Sequence, residues 1–343
     1  MKILPAFFSL ALFMLVAACS KSKSDDSGEI IPANLQVQAV VNPDNSGDVS
    51  FTASADHAVR YDYDFGNGVH QTVTSGNVLY RYPASGTYSV TVLAKSSTNH
   101  TVSKTISITV TVTHSLVWSD EFNTPGAPDP AKWGYDLGNG SGGWGNSELQ
   151  YYTNRPENVI VADGKLKITA KREDYNGAAF TSARILTKNK FSVKYGKVEV
   201  RAKLPTGAGT WPAIWMLGSN IDAVGWPQCG EIDIMEHKGS EPNKIYGTLH
   251  YPGHSGGNAD GSTLMIQNAS SEFHTYSMEW TATSIKFYVD NVLNHSYVNS
   301  ASSVFNANFF FIMNVAMGGT FGGNVDGNFS QSQMEVDYIR VYN

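Results

Sequence analysis

Gly196-Lys197-Val198-Glu199-Val200-Arg201-Ala202 alternates apolar and polar residues through its middle. A period of two belongs to a strand with one buried face and one wet face, not to a helix. The same habit recurs outward in both directions, in Lys165 to Ala170 (KLKITA), Ile285 to Val289 (IKFYV), Asn308 to Val315 and Met334 to Tyr342. Long helical periodicity is absent. Residues 116–343 therefore read as one large sandwich or barrel of short strands and Gly-rich turns. Upstream, Leu35 to Val40, Val49 to Ala53, Tyr88 to Val92 and Ile106 to Val110 are β-branched bursts separated by Gly, Asn, Pro and Ser. Residues 33–113 are expected to form a separate small β-sandwich of immunoglobulin type. The fold class is all-β.

Composition narrows the function. The chain is 41% hydrophobic and 16% charged, enough for sizeable cores and too weakly charged for a disordered protein. Its 24 basic and 30 acidic residues leave a formal charge of −6, with no Lys/Arg cluster against it, which excludes a nucleic-acid partner. Two cysteines supply neither a disulfide framework nor a Cys-based zinc site.

The N-terminus reads as an address. Met1-Lys2 opens a short n-region, and Ile3 to Val16 is apolar apart from Pro5 and Ser9, too short for a spanning helix. Residues 1–18 are read as a cleaved signal peptide. Ala17-Ala18-Cys19-Ser20 then resembles a bacterial lipobox, with Cys19 as the lipidated residue. Residues 19–32, which include the polar SKSKSDDSG of Ser20 to Gly28, form a tether. The expected location is beyond the inner membrane, as an outer-membrane or cell-surface lipoprotein.

The chemistry lies in Gly230-Glu231-Ile232-Asp233-Ile234-Met235-Glu236. On a strand, Ile232 and Ile234 take the core face, which leaves Glu231 and Asp233 on an exposed face and puts Glu236 on the wrong one. One extra residue after Asp233, a β-bulge, returns Glu236 to the side of the other two. Two glutamates leaning inward across a bound sugar would bring their carboxyls to about 5 Å, the spacing of a retaining rather than an inverting glycosidase. Three acids packed together cannot all ionise, so their environment must split their pKa values. A calcium loop would need other spacings and more oxygen ligands.

Glu231-Ile232-Asp233-Ile234-Met235-Glu236 resembles the signature of glycoside hydrolase family 16, in the bulged form of its laminarinase-like members. Supporting stretches are Ser119 to Phe122, Trp144 to Tyr152, Arg155 to Val159, Tyr195 to Ala202, Trp211 to Gly218 and Val336 to Tyr342. The resemblance implies a concanavalin-like β-jelly roll with a cleft on its concave sheet. It also implies Glu231 as nucleophile, Glu236 as general acid/base and Asp233 as the helper between them. Asn146, Arg184 and His250 resemble family residues that contact sugar or face the catalytic strand. Trp211, Trp215 and Trp226 are read as sugar platforms, because sugars present flat C–H faces to indoles. Trp118, Trp133 and Trp280 are read as core. No cofactor is expected for catalysis, whereas the family implies a structural calcium at Glu121, the Gly164 carbonyl and Asp337. Tyr61 to Gly68 (YDYDFGNG) and Tyr80 to Tyr88 resemble the polycystic-kidney-disease (PKD) domain, mostly a spacer whose tyrosines are core residues.

The expected activity is retaining endo-hydrolysis of β-1,3-glucan by a monomer. The alternatives are the same chemistry on mixed-linkage glucan, agar or carrageenan, and a non-catalytic glycan-binding protein. The bulge disfavours dedicated mixed-linkage enzymes, whose strand reads Glu-x-Asp-x-Glu. A sulfate-binding cleft would want extra cations. A binding protein would be expected to have lost a carboxylate.

Overall fold

The computed structural model describes residues 30–343, in two compact units that divide between Thr111 and Val112. The signal peptide, Cys19 and most of the tether lie outside the described residues. Among the described residues no helix is long and apolar enough to cross a membrane.

The first unit is a β-sandwich. Ala33–Val41, Asp48–Asp56 and Asn77–Arg81 make a three-stranded sheet, and His70–Val73, Arg60–Asp64, Gly86–Lys95 and Thr101–Val110 a four-stranded one. Alternation does the sorting, since Val49, Phe51 and Ala53 are buried while their neighbours are not. Its aromatics turn inward. Phe65 stacks on Tyr80 with ring centroids 3.8 Å apart, and the buried Tyr63 and Tyr82 donate to the Gly76 and Phe65 carbonyls. A buried hydroxyl without a partner would be costly, and these carbonyls remove that cost.

The second unit holds a ten-stranded and a seven-stranded sheet. The ten-stranded sheet is built around Gln331–Tyr342, which lies between Lys165–Tyr175 and Gly196–Lys203. The seven-stranded sheet runs Asp260–Met265, Lys244–His250, Glu231–His237, Thr210–Gly218, Phe309–Met317, Arg184–Leu186, Gly134–Asp136. One core joins Ile232, Ile234, Phe311, Met313 and Val315 of this sheet to Leu166, Ile168, Val198, Val200, Ile339 and Val341 of the other. Trp133 and Trp280 are buried in it, and Trp118 packs half-buried against it. With one face of the seven-stranded sheet committed to that core, the other is left to carry the site.

A close approach fixes the start of the central strand. Gly230 sits at φ +77, and a Cβ there would lie 2.9 Å from Phe309 Cζ and from Val304 Cγ2. Glycine alone meets both demands without strain. Cys229, one residue earlier, is fully buried, as expected of a small apolar filler, and burial pushes its thiol up to about 11.

Candidate active site

The bulge is present. Asp233 pairs with Trp215 and Met235 with Ile214, so Ile234 has no counterpart on that neighbour. On the other side Asp233 pairs with Thr248 and Glu236 with Tyr246, so Ile234 and Met235 stand against Gly247 alone. Ile234 and Met235 both enter the core, and Glu236 returns to the side of Glu231 and Asp233.

One expectation needs correction. The acidic face is not exposed: Asp233 retains 3% of its accessible surface and Glu236 9%, while Glu231 is half-buried. Alternation tells which face a residue takes, but the neighbouring strands decide whether that face is wet. Trp211 and Trp215 on one neighbour, and Tyr246, Thr248 and His250 on the other, wall it in.

Each acid has its own surroundings. Glu236 accepts from Trp211 Nε1 at 3.0 Å and from Thr248 Oγ1 at 3.3 Å. Burial raises its pKa, and those two donors, with His250 and Lys238, pull against the rise. Glu231 is pushed up to about 8 by burial and by the Asp233 charge, with His250 and Arg184 acting the other way. Asp233 is raised well above its ordinary value by burial and by Glu236, with Glu231 acting the other way. The Asp233 charge thus makes the ionised form of Glu231 more costly.

His250 joins this pair. Its Nε2 lies 3.2 Å from Asp233 Oδ2 and 3.7 Å from Glu231 Oε1, while its Nδ1 accepts from the Gly256 N–H at 3.1 Å. The accepting Nδ1 puts the proton of a neutral ring on Nε2, the atom that faces the carboxylates. Glu231, Asp233 and His250 do bring three ligand atoms within 4.8 Å of one another. A metal would need the Nε2 lone pair, however, and this tautomer has none there.

The sequence-derived substrate residues separate into groups. Trp215 lies on the face of the carboxylates, directly across from Asp233. Trp226 is 46% exposed, with its ring 5.8 Å from that of His250. Arg184 is ion-paired to Asp136 at 2.9 Å, and its guanidinium is held between two indoles, 4.6 Å from Trp144 and 4.7 Å from Trp215. Asn146 turns to Glu148, to which it donates at 3.2 Å.

Sequence reasoning missed Thr248, which is read off only from strand pairing. It also missed Phe321, whose ring lies 5.1 Å from Trp211 and 5.0 Å from Tyr246 and carries the Lys238 ammonium at 4.5 Å. Within the Trp144 to Tyr152 stretch the sequence singles out Asn146, but not the parts played by Glu148, Gln150 and Tyr152.

The expected calcium ligands share one edge, since Asp120 pairs with Ile339 and Leu166 with Val336. Their side chains do not fit a cation cage. Arg340 grips Glu121 with two hydrogen bonds of 2.9 and 2.8 Å and holds its carboxyl below the usual range, while Asp337 is paired with Arg201. Calcium there would have to displace both guanidinium groups or draw on main-chain oxygens.

Comparison with known proteins agrees with this architecture. Residues 146–340 match the model of glycosyl hydrolases family 16, and residues 32–112 match the PKD domain. The chain is 45% identical over 243 residues to the beta-glucanase of Rhodothermus marinus, covering 66% of this chain and 84% of that protein. It is 40% identical to glucan endo-1,3-beta-glucosidase A1 of Niallia circulans over 66% of this chain, but spans only 38% of that longer protein. The X-ray structure of the laminarinase from Rhodothermus marinus superposes with a TM-score of 0.64 at 46% identity, covering 67% of this chain and 98% of that one. A bulged strand of three carboxyls, on one face of a two-sheet β unit, belongs in this company: the chain is a glycoside hydrolase of family 16 with a PKD domain in front of it.

Proposed function

We propose that the protein hydrolyses β-1,3-linked glucan of the laminarin type within the chain and with retention of configuration. The observation that carries this reading is the trio on the bulged strand, in which Glu236 is held by Trp211 and Thr248 while Glu231 and Asp233 share its face. Glu236, kept protonated by burial, donates its proton to the glycosidic oxygen as Glu231 attacks the anomeric carbon. Water then attacks the glycosyl-enzyme, with Glu236 now acting as base and Glu231 as leaving group. Asp233 and His250 position Glu231 and take up the changing charge. Trp211, Trp215 and Trp226 offer aromatic surface to the sugar rings.

The test is the product set. Laminarin should give oligosaccharides that first appear in the β configuration, at a rate well above those on lichenan and agarose. Glu231→Ser should lower turnover by at least about 10³-fold while the folded protein still binds laminarin, because only the covalent step is lost. Release of α products, or substantial turnover by that variant, would sink the assignment. We further propose that Cys19 is lipidated and anchors the enzyme to a membrane outside the cytoplasm. Palmitate labelling that persists in Cys19→Ser would refute the anchor.

A further inference from the structure

The Trp215 indole is held from behind by a directed hydrogen-bond chain. Trp215 Nε1 donates to Asn314 Oδ1 at 2.8 Å, Asn314 Nδ2 donates to the Tyr152 hydroxyl at 3.0 Å, and Tyr152 donates to Glu148 Oε2 at 3.2 Å. Every direction in it is forced. An indole N–H only donates, so the Asn314 amide must turn its oxygen to Trp215 and its nitrogen to Tyr152. Tyr152 accepts there and has one proton left, which goes to Glu148. Gln150 is oriented in the same way. Its Oε1 accepts from the Met317 N–H at 2.7 Å, which turns its Nε2 to Glu148 Oε2, also at 2.7 Å. Asn146 Nδ2 adds a third neutral donor, at 3.2 Å from Oε1.

The chain therefore ends on a carboxylate that can only accept. Tyr152 and Gln150 are fully buried and Asn314 is 6% exposed, so water does not compete for these links. An anion at the end of such a chain polarises and strengthens each bond along it. The elements involved are far apart in sequence: Glu148 and Tyr152 come from one segment, Asn314 from Phe309–Met317 and Trp215 from Thr210–Gly218. Arg184 stacks on the face of this indole, but stacking leaves rotation in the ring plane free, and the strand sets only the Cα–Cβ direction.

We propose that Glu148 is a positioning residue, the anion that acts through Tyr152 and Asn314 to hold the Trp215 indole at the angle where a glucosyl ring stacks on it. This rests on the reading of Trp215 as a sugar platform. The alternative is that Glu148 merely folds the segment around it. That role would lower the fraction of active enzyme, and hence the apparent kcat, without touching KM.

The experiment uses the full chain and soluble laminarin, with kcat, KM, pH–rate profile and melting temperature measured for each variant. Trp215→Ala should raise KM roughly tenfold if the indole is a platform. Tyr152→Phe removes one oxygen and breaks the chain, and should raise KM roughly three- to tenfold with kcat within about twofold and both pH limbs in place. Glu148→Leu should match it. Glu148→Gln keeps an acceptor once Asn146 turns its amide over but removes the charge, and should raise KM by less than Glu148→Leu does. The double variant Tyr152→Phe/Glu148→Leu should be no worse than either single one, because the chain acts as a unit. A raised KM in Trp215→Ala alone, with wild-type KM in Tyr152→Phe and Glu148→Leu, would overturn the role of Glu148 and spare the platform. Unchanged KM in Trp215→Ala would remove the platform and this proposal together. A fall in kcat with KM unchanged, or losses that multiply in the double variant, would also overturn it. Should Glu148→Leu fail to fold, the near-isosteric Tyr152→Phe and Glu148→Gln still decide the matter.

Discussion

Two substitutions separate the roles of the carboxyls. The Asp233 charge raises the pKa of Glu231. Asp233→Asn removes that charge, so the acidic limb of kcat/KM should move to lower pH while the rate falls by roughly one to three orders of magnitude. Thr248→Val should act on the opposite limb. It removes a donor that stabilises ionised Glu236, so the pKa of Glu236 rises and the acid stays protonated to higher pH. The alkaline limb should therefore move up with little loss of rate. Full pH–rate profiles on both variants check these signs, and a shared shift of the same limb would contradict the division of labour.

At the scale of the element, the bulge and the entry to its strand do the placing. Without Ile234 as the extra residue, Met235 and Glu236 would exchange faces relative to the pairing seen. The strand begins at Gly230, where positive φ and the contacts with Phe309 and Val304 both exclude a side chain. Gly230→Ala should cost about 1–3 kcal/mol, from left-handed backbone strain and the clash together. For a unit of this size that lowers the melting temperature by several degrees. Calorimetry checks it, and activity should fall as well, because Glu231 is the next residue. A melting temperature equal to wild type would show that the strand entry adapts.

At the scale of the whole molecule, the chain is two units with separate cores, dividing between Thr111 and Val112. The three carboxyls of the bulged strand, their hydrogen-bond partners and the chain behind Trp215 all belong to the second. A protein trimmed to Leu116–Asn343 should therefore fold alone and hydrolyse soluble laminarin at nearly the full rate. Loss of most of that activity would give the PKD unit a part in catalysis.

Local pattern was enough for the strands, the two sandwiches and the bulge. Period-two alternation is a property of adjacent residues, and Ile232 and Ile234 between acids leave few ways to seat Glu236 with its partners. The tertiary structure alone decided what surrounds those acids. Asp233 is buried because Trp215 and Thr248 come across from other strands, and His250 takes its tautomer from a main-chain N–H six residues away in a turn. Asn314 shows the limit most clearly. It stands in Phe309–Met317, a strand buried on both faces, where an amide among apolar residues gives no sign of which face it serves. Pairing register aims it at Trp215 on one side and Tyr152 on the other. Register between distant strands depends on how two sheets pack, and no window of neighbouring residues contains that information.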